Sequence, residues 1–226
     1  MVMQSLTETA LVPYAVLMQQ FKAAPPGKLY CVHGSSPGVF RLSLTAAAHA
    51  LLKDVPITLV DGTNRFDVYY LAEFARRQRP DPGRILEHIF VSRAFTCYQM
   101  EAVITERLPA FLKKKQSPIA IIFGLLDTFY DEQAPLFEVQ ASLQRIIAAL
   151  RQLKQDNIAV LLASLDVRLA SPERNGLFPK LRAAMDQVYT VEESEGTGLK
   201  IQQESQGQRL PPRHQGTKEI LRRTEG

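Results

Sequence analysis

The chain has 226 residues, 46% of them hydrophobic and 22% charged, with a formal net charge of +4. This length and balance describe an ordinary folded domain with one sizeable core, and they exclude disordered, collagenous and disulfide-stapled classes. No apolar run approaches the roughly 18 residues of a membrane helix, and the opening residues lack a secretory signal, so a cytoplasmic protein with no membrane contact is expected.

Residues 10–21 carry Leu11, Val12, Ala15, Val16, Met18 and Phe21 at helical spacing, which predicts a short amphipathic helix. Ala24-Pro25-Pro26-Gly27 ends it, so residues 1–27 read as an N-terminal helix and linker. The core, 28–205, alternates strands and helices. Strands are expected over Leu29–His33, Val55–Val60, Ile89–Ser92, Ile119–Phe123 and Ile158–Ala163, with two further β segments at Gln187–Val191 and Leu199–Gln203. Helices are expected over Phe40–Lys53, Asp67–Arg79, Gly83–His88, from Thr96 to the Lys113-Lys114-Lys115 run, Pro135–Gln155 and Leu177–Met185. Thr96 with Gln99 reads as a capping box, and the lysine run suits the negative end of a helix dipole. Strands apolar on both faces, alternating with helices, predict a three-layer α/β fold with a mostly parallel central sheet.

Two cysteines, Cys31 and Cys97, sit in or beside apolar segments and read as buried free thiols. Four scattered histidines offer no zinc spacing, so no metal is expected. Residues 206–226 hold five basic residues (Arg209, Arg213, Lys218, Arg222, Arg223) against two acidic ones, Glu219 and Glu225. Such a basic tail either contacts nucleic-acid phosphates or is a solvated terminus.

The segment Gly34-Ser35-Ser36-Pro37-Gly38-Val39-Phe40-Arg41 follows an apolar strand and leads into a helix. That is the layout of a phosphate-binding loop, in which backbone N–H groups and a helix N-terminus cradle an anion. The working motif continues with Gly, Lys and Ser or Thr, and these positions hold Val39, Phe40 and Arg41. Gly34, Ser35, Ser36, Pro37 and Gly38 either retain an anion-holding nest, approached by Arg41, or simply make the strand–helix turn.

Val60-Asp61-Gly62-Thr63-Asn64-Arg65-Phe66, the Pro80-Asp81-Pro82 break, and Ile89-Phe90-Val91-Ser92-Arg93-Ala94-Phe95-Thr96-Cys97-Tyr98-Gln99-Met100 together resemble the ATPase core of the RecA/RadA recombinase superfamily, nearest to RadA and its paralogues. The resemblance covers roughly residues 28–203 and implies a RecA-like P-loop fold. It also implies which residues have been replaced. The phosphate-loop lysine falls on Phe40 and the Mg²⁺-binding hydroxyl on Arg41. The carboxylate that activates water falls on Thr63, the aspartate ending the Mg²⁺-side strand on Phe123, and the polar sensor pair on Ser164 and Leu165. Phosphoryl transfer depends on positioning and on Lys and Mg²⁺ electrostatics, so the expectation is a catalytically inactive pseudo-ATPase, with no cofactor beyond weak ATP binding. Asp127, Asp131 and Glu132 read either as substitute metal ligands or as a solvated acidic loop. Phe21-Lys22-Ala23-Ala24 resembles the Phe-x-x-Ala tether of RadA-type subunits, or is an apolar helix end.

The expected role is an accessory or mediator in DNA recombination or repair, with a RecA/RadA-type recombinase, another repair protein or single-stranded DNA as partner. Two other readings are a regulator that binds ATP without hydrolysing it and a structural subunit of a homo- or hetero-oligomer with no DNA role.

Overall fold

The computed structural model describes residues 27–130, 133–166, 172–194 and 198–204. The helix expected over 10–21, the Phe21–Ala24 motif, Asp131, Glu132 and the basic tail lie outside them. Seven strands form one sheet: β1 (Leu29–Gly34), β2 (Ile57–Asp61), β3 (Ile89–Arg93), β4 (Ile119–Phe123), β5 (Ala159–Leu165), β6 (Gln187–Ser194) and β7 (Gly198–Gln203). Their spatial order is β3-β2-β4-β5-β1-β6-β7. Every neighbouring pair is parallel except β6 with β7.

Every residue of β1, β2 and β4 is buried, which is what a run such as Ile-Ala-Ile-Ile-Phe dictates. A strand apolar on both sides needs cover on both sides. On one face lie α1 (Gly38–Leu51), α2 (Val68–Gln78) and α3 (Pro82–Leu86). On the other lie α4 (Cys97–Ala102), α5 (Leu108–Lys115), α6 (Leu136–Gln155) and α7 (Leu177–Arg182). The result is the three-layer α/β arrangement with a mostly parallel sheet.

Local chemistry sets the helix boundaries. The Asp67 carboxylate accepts the Tyr70 N–H at 3.0 Å and caps α2. Thr96 Oγ1 accepts the Gln99 N–H at 3.2 Å, while the Gln99 side chain accepts from Phe95 N at 2.8 Å. The capping box is thus realised with its return bond one residue earlier than the standard pattern. Arg79 and Gln116 end α2 and α5 in the left-handed region, at φ 76° and 51°. Between α4 and α5 the helix widens into one π turn, Val103–Arg107, where Leu108 N–H reaches Val103 O. The wide turn carries the chain into Pro109, which has no N–H to continue the α-helical ladder.

The carboxyl ends of β2, β4 and β5 are stitched together. Gly62 N–H donates to Phe123 O at 2.9 Å, and Gly124 N–H donates to Ala163 O at 2.8 Å. Gly124 adopts φ +58°, and a Cβ there would lie 1.9 Å from Thr63 Cγ2. Gly124→Ala should therefore cost about 1–3 kcal/mol, from both a left-handed backbone and overpacking. Urea unfolding checks this: the midpoint should fall with an unchanged m-value.

Candidate functional site

Parallel strands deliver their carboxyl ends to one edge of the sheet. The loop after β1, the Asp61–Phe66 loop after β2, Arg93 and Ala94 after β3, Gly124 after β4 and Ser164-Leu165 at the end of β5 all meet there. Segments distant in the sequence are therefore gathered on one rim. In open α/β sheets this rim is where ligands bind, above all where neighbouring strands lead to helices on opposite faces. β2 leads to α2 on one face and β4 to α6 on the other. That crevice is filled by the protein itself: a Cβ on Gly62 would meet Met100 Cε at 2.6 Å, and one on Gly124 would meet Asp127 Oδ2 at 2.3 Å.

The turn after β1 is short. Only Ser35, Ser36 and Pro37 separate β1 from α1, too few to wrap around a phosphate. The amides that open α1 are also taken: Gly38 N–H donates to Ser36 Oγ at 3.0 Å, Val39 N–H to Ser36 O at 3.2 Å and Phe40 N–H to Pro37 O at 3.1 Å. Ser36 Oγ donates in turn to the Glu193 carboxylate of β6. A carboxylate therefore stands at the turn where a phosphate loop needs positive potential. From β7, the Leu199 side chain covers Gly38: a Cβ there would lie 2.6 Å from Leu199 Cδ2.

Phe40 and Phe123 lie beneath this turn, with ring centroids 5.1 Å apart and planes tilted by 59°. Both are core residues, exposed by 3% and 0%. A charged lysine or Mg²⁺ has no room and no solvation there. Arg41 points elsewhere, with its guanidinium over the Tyr70 ring, 5.3 Å from the centroid.

Asp61 is fully buried and organises its own loop. One carboxylate oxygen accepts from Thr63 N, Thr63 Oγ1 and Arg65 N, and the other accepts from Phe66 N at 2.9 Å. Thr63 supplies two of these donors, its backbone N–H and its hydroxyl. Asp127 Oδ2 is buried without a hydrogen-bond partner. Burial raises the Asp127 carboxyl above its ordinary range, and the nearby Arg65 offsets part of that. Ser164 Oγ donates to Leu165 O at 3.3 Å, and Leu165 packs against the α1 face of the core. No cluster of three or more His, Cys, Asp or Glu suited to a metal occurs among the described residues. The Cys31 thiol is pushed up to about 12, first by burial and then by Glu204 and Asp166, which leaves it inert.

Sequence reasoning missed the charged cluster on the other face of β1. His33, 3% exposed, holds Asp166 through Nδ1 at 2.9 Å and Glu204 through Nε2 at 2.8 Å. Glu204 also accepts from Thr190 Oγ1 at 2.8 Å and from Arg182 Nε at 2.6 Å. The Phe178 ring stands edge-on to the imidazole, centroids 4.9 Å apart. Burial alone would lower the imidazole, but its two carboxylate partners outweigh that and raise it to about 9. Burial would likewise raise Glu204, yet bonds from His33, Thr190 and Arg182 bring it down to about 2. The partners of His33 lie 133 and 171 residues away, so no local pattern announces them. Glu193 is equally invisible, being 157 residues from Ser36.

The imidazolium ties β1 to the ends of β5 and β7. Folding raises the His33 pKa from 6.5 to about 9, so this stabilisation is complete below the lower value and is lost as pH rises through the higher one. Thermal melts across that window should show a falling Tm. His33→Gln should lower the Tm at the acidic end and flatten the slope, whereas a variant profile parallel to the parent would place the proton elsewhere.

The chain matches no protein-family model and no curated protein sequence.

Proposed function

We propose that this chain is a RecA/RadA-like protein without ATPase activity, which assists DNA recombination or repair by binding a RecA-like protein, DNA or both. The observation that supports the reading is the buried Phe40–Phe123 contact, at the two positions to which the resemblance assigns the phosphate-loop lysine and the Mg²⁺-side aspartate. Around it the strand–turn–helix frame and the Asp61 and Arg93-Ala94 segments keep the family's order along the chain. Retention of the frame without the reacting groups fits a protein that works through its surfaces. The ATP-binding regulator is disfavoured, because the amides at the start of α1 are already bonded and Glu193 stands at the turn.

The open side of β3 supplies a surface for a protein partner. Among the described strands β3 pairs with β2 alone. Beside it runs a groove of about 290 Å³, lined by Val60, Phe90, Val91, Val103, Leu108 and Phe111. An unpaired strand edge next to an apolar groove accepts an extended segment by main-chain pairing, with one apolar side chain seated in the groove.

Two measurements test the reading. Phosphate release from ATP with Mg²⁺, with and without single-stranded DNA, should not exceed the protein-free blank; recombinase-like turnover sinks the proposal. ATP and ADP should leave the Tm unchanged, since a ligand that binds only the folded state raises it by mass action.

A further inference from the structure

Between α1 and α2, beside the carboxyl edge of the sheet, lies a cleft of about 540 Å³. Its walls carry Arg41, Arg65, Tyr69, Tyr70, Phe74 and Arg77. We propose that this cleft binds single-stranded nucleic acid, holding a base against the exposed Tyr69 ring and the adjoining phosphate between Arg41 and Arg65. This assignment rests on the proposed DNA-assisting role and takes its direct DNA-binding form.

The reasoning starts from α1. Eleven of its 14 residues are buried, and Arg41 is its one arginine or lysine, with no acidic residue anywhere in the helix. Arg41 also sits in the first turn, at the positive end of the helix dipole, where a cation does nothing for helix stability. The site holds it nonetheless, and in a fixed place. Its guanidinium lies over the Tyr70 ring at 5.3 Å. That ring is anchored through its hydroxyl, 2.5 Å from Thr45 Oγ1, and Thr45 donates to Arg41 O at 2.8 Å. Arg41 and Tyr70 thus form a preorganised cation–aromatic pair at the mouth of the cleft.

The two acidic residues that line the cleft are committed, and the buried Asp127 carboxyl near Arg65 makes no ion pair with it. Asp67 caps α2 through Tyr70 N, and Glu73 pairs with Arg76 and Arg77. Arg41 and Arg65 form no ion pair among the described residues, and both are exposed. The backbone of Arg65 is fixed by the Asp61 carboxylate at 3.2 Å, so its side chain leaves from a rigid loop. Tyr69 is 83% exposed, a large aromatic face open to water. Guanidinium groups beside an uncovered aromatic ring are the chemistry of single-strand binding, where bases stack and arginines hold the backbone. The volume falls within the roughly 300–1,000 Å³ of small-ligand sites, which admits a nucleotide unit and excludes a duplex.

A free nucleotide offers the same base and phosphate, so the test has two arms. Fluorescence anisotropy of a labelled oligothymidylate is measured with the full-length chain over a salt series, with dTMP as competitor. Arg41→Ala and Arg65→Ala should each weaken binding about 5–10-fold, and each should reduce the salt slope by about one phosphate. Tyr69→Ala should weaken binding at every salt concentration without changing the slope. All three side chains are exposed, and circular dichroism melts verify that the variants fold as the parent does. Arg41→Lys, which keeps the charge and loses the planar fork, should give an intermediate loss.

Wild-type affinity in all the variants overturns the cleft and leaves DNA binding to other surfaces, so the functional reading survives. Displacement of the oligonucleotide by dTMP at concentrations near the strand's own Kd overturns the single-strand assignment. Absence of any oligonucleotide binding overturns the cleft proposal while leaving protein partnership open, and ATP turnover in the separate assay is what removes the functional reading itself.

Discussion

Burying the central strands on both faces is the constraint from which the other features follow. β1, β2 and β4 expose no residue, so neither face of the sheet can host polar chemistry at mid-strand. Any site must lie at the strand ends or between the covering helices. At the carboxyl rim the protein has spent its available space on itself. Gly62 and Gly124 bring two loops into contact, Phe40 and Phe123 pack below the first turn, and Leu199 closes over Gly38. Open space among the described residues includes a cleft between α1 and α2 and a groove along β3.

Electrostatics distinguish the two faces of β1. On one, Phe40 meets Phe123 in an apolar contact that excludes ions. On the other, a buried imidazolium is compensated by two carboxylates, one of which is also held by Arg182. A buried charge survives only when its partners satisfy it, and removing one partner is costlier than the net worth of the cluster. The arrangement fastens the hairpin of β6 and β7 to the strand that begins the core. It is a structural clamp: with 3% exposure and both ring nitrogens engaged, His33 has no atom free for a substrate.

Much of the architecture was legible because its signals are local. The run Ile119–Phe123 is apolar throughout and is a buried strand with those same bounds. The capping role of Thr96 follows from two residues in one turn of chain. The departure from a phosphate-loop motif was visible at Val39, Phe40 and Arg41, but the geometry of the turn was not. A residue string does not reveal that Arg41 turns toward Tyr70, that only three residues separate β1 from α1, or that Glu193 arrives from β6. These depend on strand order, and the order is set by the packing of whole layers. The π turn was equally hidden, since its cause is a wide helical hydrogen bond, not a change in hydrophobic spacing.

The place of β1 bears on how the chain is made. β1 comes first among the described strands, yet it lies between β5 and β6, which come near the end. The side chain of Asp186 reaches back to Leu29 across 157 residues. At about 5–20 residues per second, a ribosome needs roughly 8–30 s to synthesise that interval. Through most of that time neither sheet neighbour of β1, β5 or β6, has been made, while β2, β3 and β4 can already assemble beside one another. The nascent protein therefore carries an apolar strand without a sheet to join, the kind of segment that chaperones retain and that aggregates when they do not. The length of chain between residues 34 and 187 thus sets how long that strand waits for its sheet, independent of the stability of the finished fold.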